Sequence, residues 1–330
     1  MEIVTTLGEL HTLRARWNAL WHADTRATAF QSPAWLLPWA QHFAPERTGA
    51  VALHAQDALV ALIPFFSWQG KLLLAGTGPS DYGDGLFAGA HVDAAAVLQA
   101  LCAVARDLHC DCVDLQQLRV FSPLLQAPTP SGWQSAISAG DTCPVAMLTG
   151  GDGLDGIPAR RKKKLAYAAR SLQRRADHVV RLVAVDELEH AMAATAYMHA
   201  QRWGAREESG IFSDTRMRAF IADALPELAA DEVLRLHVLQ IGAEEIAAAA
   251  LVLRNRSAAC LYLCTFAERW SRYSPGLLTI AGAMRHAANE GAQQFHFLRG
   301  GETYKYDLGA VDTPTYRRRL WRHSASGRFD

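Results

Sequence analysis

The stretch DEVLRLHVLQIGAEEIAAAALVLRNRSAACLYLCTF, residues 231–266, decides the fold. It holds three apolar runs, 231–241, 245–254 and 258–266, separated by short polar turns, which is the pattern of three successive strands. Connections this short join antiparallel neighbours. Downstream, Ser274-Pro275-Gly276 opens a helix that runs to about Glu290 and is capped by Gly291. A strand at 293–298 then leads into LRGGETYKYDLG, and a last strand is expected near 313–322. Upstream lie a strand near 143–148, the segment GGDGLDG, a basic helix over 158–175, a strand at 178–184 and helices at 186–203 and 214–225. Mixed elements in this order predict an α+β layered architecture, with a mixed, largely antiparallel sheet flanked by helices.

The first half reads as a shorter version of the same order. An amphipathic helix spans 7–22, and Ser32-Pro33 starts a second short helix carrying Trp35, Leu36 and Trp39. Strands follow at 49–54, 58–67 and 71–75. The loop GTGPSDYGDG (76–85), a helix near 92–107 and a strand near 111–116 come next. The turn-rich run 121–142 reads as a linker, giving two domains, 1–142 and 143–330. No sequence repeat of fixed period is present, so any duplication is of structure rather than of residues.

Thirty-three basic and thirty-three acidic side chains cancel over 330 residues. That balance speaks against a dedicated nucleic-acid binder. The N-terminus lacks the pattern of a signal peptide, and the longest apolar runs fall far short of the ~20 residues that span a bilayer. The expected location is the cytoplasm. Six cysteines, at 102, 110, 112, 143, 260 and 264, form no paired CxxC motifs. They read as buried thiols, and no metal site is expected.

Six motifs occur in order along the chain: FQSPAWLLPWAQHF (30–43), ALIPF (61–65), DYGDGL (81–86), HAQRW (199–203), SPGLLTI (274–280) and FHFLRGGETYKYDLG (295–309). Together they resemble the CelD-like branch of the GNAT acyltransferases, linked to cellulose and other exopolysaccharide biosynthesis. That branch is similar in build to the tandem-GNAT Fem-type peptidoglycan ligases. The resemblance implies tandem GNAT-like domains, the second carrying the acyl-CoA site, and acyl transfer from acetyl-CoA or another acyl-CoA to an amine or hydroxyl acceptor. Two positions depart from it. His296 stands where the family usually has aspartate, and Tyr273-Ser274-Pro275-Gly276-Leu277-Leu278 differs from the usual Arg/Gln-x-x-Gly-x-Gly/Ala cradle.

Acyl transfer needs a donor cradle, a positioned acceptor, a stabilised oxyanion and a route for protons. The resemblance aligns the cradle with Tyr273, Ser274, Gly276, Leu277 and Leu278. Free N–H groups at that helix N-terminus suit a pyrophosphate, although the same residues also make an ordinary proline-glycine turn. Arg299, Glu302, Tyr304 and Lys305 crowd within seven residues at a strand end. Lys305 or Arg299 can hold an oxyanion or an acidic substrate group, and Glu302 can take the acceptor's proton. Tyr304 can protonate the leaving thiolate, as a tyrosine often does in GNAT enzymes. The same residues also suit a salt-bridged loop. Asp81, Tyr82 and Asp84 can orient an acceptor or form a tight Asx turn. His199 and Trp203, four apart on one helix, can line an acceptor pocket or pack in the core. His296 can act as a base or lie buried between Phe295 and Phe297.

Nine Arg/Lys against one acid, Asp177, from Pro158 to Arg181 make the helix 158–175 basic in an otherwise neutral chain. It can meet an anionic ligand or a membrane surface, or present a solvated face. The expected function is an N- or O-acyltransferase acting on a sugar, nucleotide-sugar or amino-compound acceptor in exopolysaccharide or envelope metabolism. The alternatives are a Fem-like transferase using aminoacyl-tRNA and a non-catalytic tandem-GNAT binding protein.

Overall fold

Short turns and apolar runs make the second half of the chain a meander, and the computed structural model describes residues 1–322 apart from 45, 57, 90, 91 and 205–210. The chain divides into two units, Met1–Asp141 with Pro314–Asp330, and Thr142–Thr313.

In the first unit β1 (Glu2–Val4) precedes α1 (Leu7–Thr12), α2 (Arg14–Ala23) and α3 (Pro33–Phe43). Ser32 caps α3 by accepting from the Trp35 N–H at 3.2 Å, with Pro33 in the first turn. Strands β2 (Thr48–Ala55), β3 (Ala58–Trp68) and β4 (Lys71–Leu74) form an antiparallel meander, and the short β5 (Leu86–Phe87) pairs with β3. Helix α4 (Ala94–Asp107) then carries the chain to β6 (Cys112–Arg119), which lies parallel to β4. A short α5 (Pro123–Gln126) leads to β7 (Trp133–Met147). Residues 133–142, expected as part of a linker, are therefore strand. Their side chains are mostly exposed, so the usual alternation of buried and exposed residues is missing from the sequence.

In the second unit α6 (Ala159–Gln173) precedes β8 (His178–Leu182), α7 (Leu188–Gly204) and α8 (Thr215–Ala230). Strands β9 (Leu234–Ile241), β10 (Glu245–Arg254) and β11 (Ala258–Phe266) follow where the three apolar runs predict them, antiparallel throughout. Helix α9 (Pro275–Asn289) connects β11 to β12 (Gln294–His296), which is parallel to β11 and antiparallel to the end of β7. A short α10 (Thr303–Asp307) and β13 (Val311–Arg322) close the chain. Beyond Thr313, β13 pairs antiparallel with β6 of the first unit. There the buried Asp114 carboxylate accepts two bonds from Arg317, at 2.7 and 2.6 Å.

Each unit thus contains an antiparallel meander, one helix and then a parallel strand: β4–α4–β6 in the first and β11–α9–β12 in the second. Ala247–Ala250 are all fully buried, and small side chains on both faces let helices lie close to the sheet. Ile280, Ala283, Met284 and Ala287 of α9 fill the core over β10 and β11. Gly282 permits the close approach of α9 to β8, because a Cβ there would collide with Val180 Cγ1. Among the described residues no helix is long and apolar enough to cross a membrane.

Candidate active site

Strands β11 and β12 pair over only three positions, the last being Cys260 with His296. Beyond that point β11 continues to Phe266, while the other chain turns away at Leu298 (φ 59°) and Gly300 (φ 103°). A leucine held in the left-handed region is strained, which is common where a backbone shapes a site. The divergence opens a cavity of about 510 Å³. Cys264 and Phe266 of β11 form one wall and Gly276, Leu277 and Ile280 of α9 another. Glu302 and Tyr304 close it from the segment after β12, and Arg202 reaches in from α7.

The first turn of α9 is built to leave its N–H groups available. Ser274 at the cap is left-handed (φ 53°), and its hydroxyl makes no capping bond. An uncapped helix start carries unsatisfied donors and the positive end of the helix dipole, the two properties that hold a phosphate. Gly276 also keeps the cradle open. A Cβ there would meet Phe266 Cδ1 at 3.2 Å and Cys264 Sγ at 3.4 Å, both wall atoms of the cavity.

Burial keeps two weak acids of the cavity, Cys264 and Tyr304, in their neutral forms. Burial pushes the Cys264 thiol up to about 12, against a smaller opposing pull from Arg202. Burial also raises Tyr304 above the usual phenol range, with Cys264 and Glu302 adding to it. Tyr304 therefore keeps its proton at neutral pH and is an O–H donor. Arg202 lies over the Phe266 ring at 4.2 Å from its centroid, a cation–π placement.

The expected residues are only partly gathered here. Glu302 and Tyr304 line the cavity; Lys305 and Arg299 do not. Lys305 is buried, and its ammonium donates to the carbonyl oxygens of Leu298 (3.3 Å), Arg299 (2.6 Å) and Gly300 (3.0 Å). It also pairs with Glu302 at 2.8 Å. An ammonium has three protons, and the three carbonyls are enough to use them. Lys305 thus holds the turn together instead of facing an oxyanion, which corrects the expectation for it.

Of the expected cradle, Gly276 and Leu277 reach the cavity. Tyr273 is buried beside Leu172 and Leu239, and Leu278 faces a separate cavity that Leu165 and Ala169 of α6 also line. Ser274 contributes its backbone conformation. His199 is buried with its ring edge-on to Phe212 at 5.1 Å, and burial, aided by Arg202, holds its pKa down at about 4. The side chain of Trp203 lies outside the described residues. His296 is buried in β12 beside Gln294 at 3.1 Å and does not line the cavity.

Asp81, Tyr82 and Asp84 lie in the first unit, where Tyr82 is buried with a left-handed backbone (φ 52°). Asp84 accepts from Ser122 Oγ at 2.9 Å and from the Gly85 N–H at 2.8 Å. Burial raises its pKa to about 6 in spite of Arg119.

Arg202, Cys264 and Phe266 are wall residues that sequence reasoning passed over. Arg202 sits inside the HAQRW motif, between His199 and Trp203. Tyr262, Cys264 and Phe266 are half-buried in alternation with buried Leu261, Leu263 and Thr265, a period-two signal that β11 has one face toward open space.

Residues 159–306 match the family model described as the acetyltransferase (GNAT) domain. That stretch lies within the second unit. Over nearly the whole chain the fold is similar to that of FemX, with TM-score 0.67 at 11% identity, covering 96% of this chain and 97% of that one. A conserved protein of unknown function from Bacteroides thetaiotaomicron gives 0.68 at 11%, covering 94% and 97%. L-PGS from Bacillus licheniformis gives 0.60 at 12%, covering 92% and 90%. No curated protein matches the chain in sequence. At these identities the likeness is one of fold. In the cavity described above, the first turn of α9 and the Tyr304 phenol face the same space.

Proposed function

We propose that the chain is an acyl-CoA-dependent N- or O-acyltransferase of the CelD-like branch, with the donor seated in the cavity between β11 and β12. The observation that carries this is the meeting of the α9 first turn, at Gly276 and Leu277, with Glu302 and Tyr304 around one space. The first turn would hold the donor's pyrophosphate. The apolar wall of Leu277, Ile280 and Phe266 suits the pantetheine arm. Glu302, exposed at the rim, takes a proton from the attacking amine or hydroxyl, directly or through water. Tyr304 gives a proton to the leaving thiolate. Lys305 and its carbonyl partners position that segment. The acceptor we infer is a sugar, nucleotide-sugar or amino compound of exopolysaccharide or envelope metabolism.

A Fem-like transferase using aminoacyl-tRNA is the second reading, favoured by the exposed basic residues of α6. Melting the full chain with acetyl-CoA, a longer acyl-CoA and tRNA separates the readings. Stabilisation by an acyl-CoA supports the first. Protection by tRNA with no response to any CoA replaces it with the second, and silence from both leaves a non-catalytic tandem-GNAT protein.

A further inference from the structure

Beside the donor cavity lies a second one of about 620 Å³, and the two share the Arg202–Phe266 pair as a common wall. Its far side is made by Tyr197, Met198 and Gln201 of α7 and by Glu268 and Arg269 after β11. Two arginines face this space, but they are not equivalent. Arg269 is matched by Glu245, which it contacts at 2.8 and 2.6 Å. Arg202 is half-buried and makes no ion pair or hydrogen bond among the described residues. It is fixed in place by stacking over Phe266.

A guanidinium withdrawn from water without a counter-charge is unfavourable unless a ligand supplies one. Its field reaches its surroundings, since Arg202 opposes protonation of His199 and favours ionisation of Cys264 and Tyr304. The donor cavity already has a partner for the donor's phosphates in the start of α9. The second cavity is bordered only by the start of a single short 3-10 turn at Ala267–Glu268, and Glu268 is exposed to solvent at its rim.

We propose that the second cavity is the acceptor subsite and that it selects an acceptor bearing an anionic group, a carboxylate or a phosphate, held by Arg202. The assignment to the acceptor rests on the donor reading above. The anion site itself does not. A planar guanidinium, stacked and with its fork unpaired among the described residues, suits the bidentate geometry of either group.

The test uses the full chain and two small probes, inorganic phosphate and acetate, followed by titration calorimetry with and without saturating acetyl-CoA. Phosphate or acetate should bind the wild type and bind Arg202→Gln about tenfold or more weakly, as expected for loss of a charge-assisted contact. Arg202→Lys should recover part of that affinity, and all three proteins should melt alike. The stronger of the two probes names the acceptor's group. Equal affinity in wild type and Arg202→Gln overturns the proposal. So does displacement of the anion by acetyl-CoA, because Arg202 would then serve the donor. Arg202-dependent anion binding in a protein that ignores acetyl-CoA leaves the anion site standing and removes the donor reading alone.

Discussion

The Lys305 ammonium lies 2.6 Å from the carbonyl oxygen of Arg299, six residues earlier in the chain. With Leu298 and Gly300 also bonded, it ties down the turn that begins at the strained Leu298. Lys305→Met should therefore act first on stability. Leaving buried carbonyls unmatched costs about 2–4 kcal/mol, visible as a lower denaturation midpoint. Tyr304→Phe should melt like wild type yet lose most of its turnover if the phenol is the proton donor proposed above. A Lys305→Met protein with unchanged stability and no turnover would return the lysine to the chemistry.

Gly276→Ala should separate binding from folding. The added methyl would crowd Phe266 and Cys264 at the proposed donor cavity. Acetyl-CoA affinity should fall about tenfold or more by calorimetry. Stability should move by less than about 1 kcal/mol, because alanine's better helix propensity offsets the crowding. Unaltered acetyl-CoA affinity would remove Gly276 from the cradle.

Acid should weaken the second unit through two buried histidines. Burial holds His199 down at about 4 and His237 at about 3. The folded state keeps both neutral, while an unfolded histidine takes up a proton below its ordinary value of about 6.5. Their contribution is thus complete above pH 6.5 and is lost as pH falls toward 4 and then 3. Urea denaturation at pH 4.5 should show a loss on the order of 3 kcal/mol relative to pH 7. His237→Phe should lessen the loss, and a flat profile would contradict the burial of both rings.

The basic face of α6 should be dispensable for folding. Arg161 and Lys162 pair with Asp307 and Asp155, whereas Arg160, Lys163, Lys164 and Arg170 make no ion pair among the described residues. Replacing Lys163 and Lys164 by Glu should change stability by less than about 0.5 kcal/mol. If the face serves an anionic partner, sedimentation with anionic vesicles or mixing with tRNA should show binding by the wild type that the double variant loses. Equal behaviour of the two proteins would mean that the face is only solvated.

The sequence by itself determined the elements of the second unit, because β9, β10, β11 and α9 announce themselves through local means: apolar runs, short turns and a proline-glycine helix start. It also determined that Gly276, Glu302 and Tyr304 deserved testing. Only the tertiary structure decided which side chains share a space. Lys305 and Tyr304 are neighbours in sequence, yet one points into its own turn and the other into the cavity. Arg202 reaches the site from a helix some sixty residues before β11 ends, and β13 finds its partner β6 nearly two hundred residues away. Residues 133–142 gave no strand signal because their order comes from pairing rather than from burying one face. Periodicity records how a segment meets the core; which distant segments face one another across a cavity is set by packing, and no local pattern encodes it.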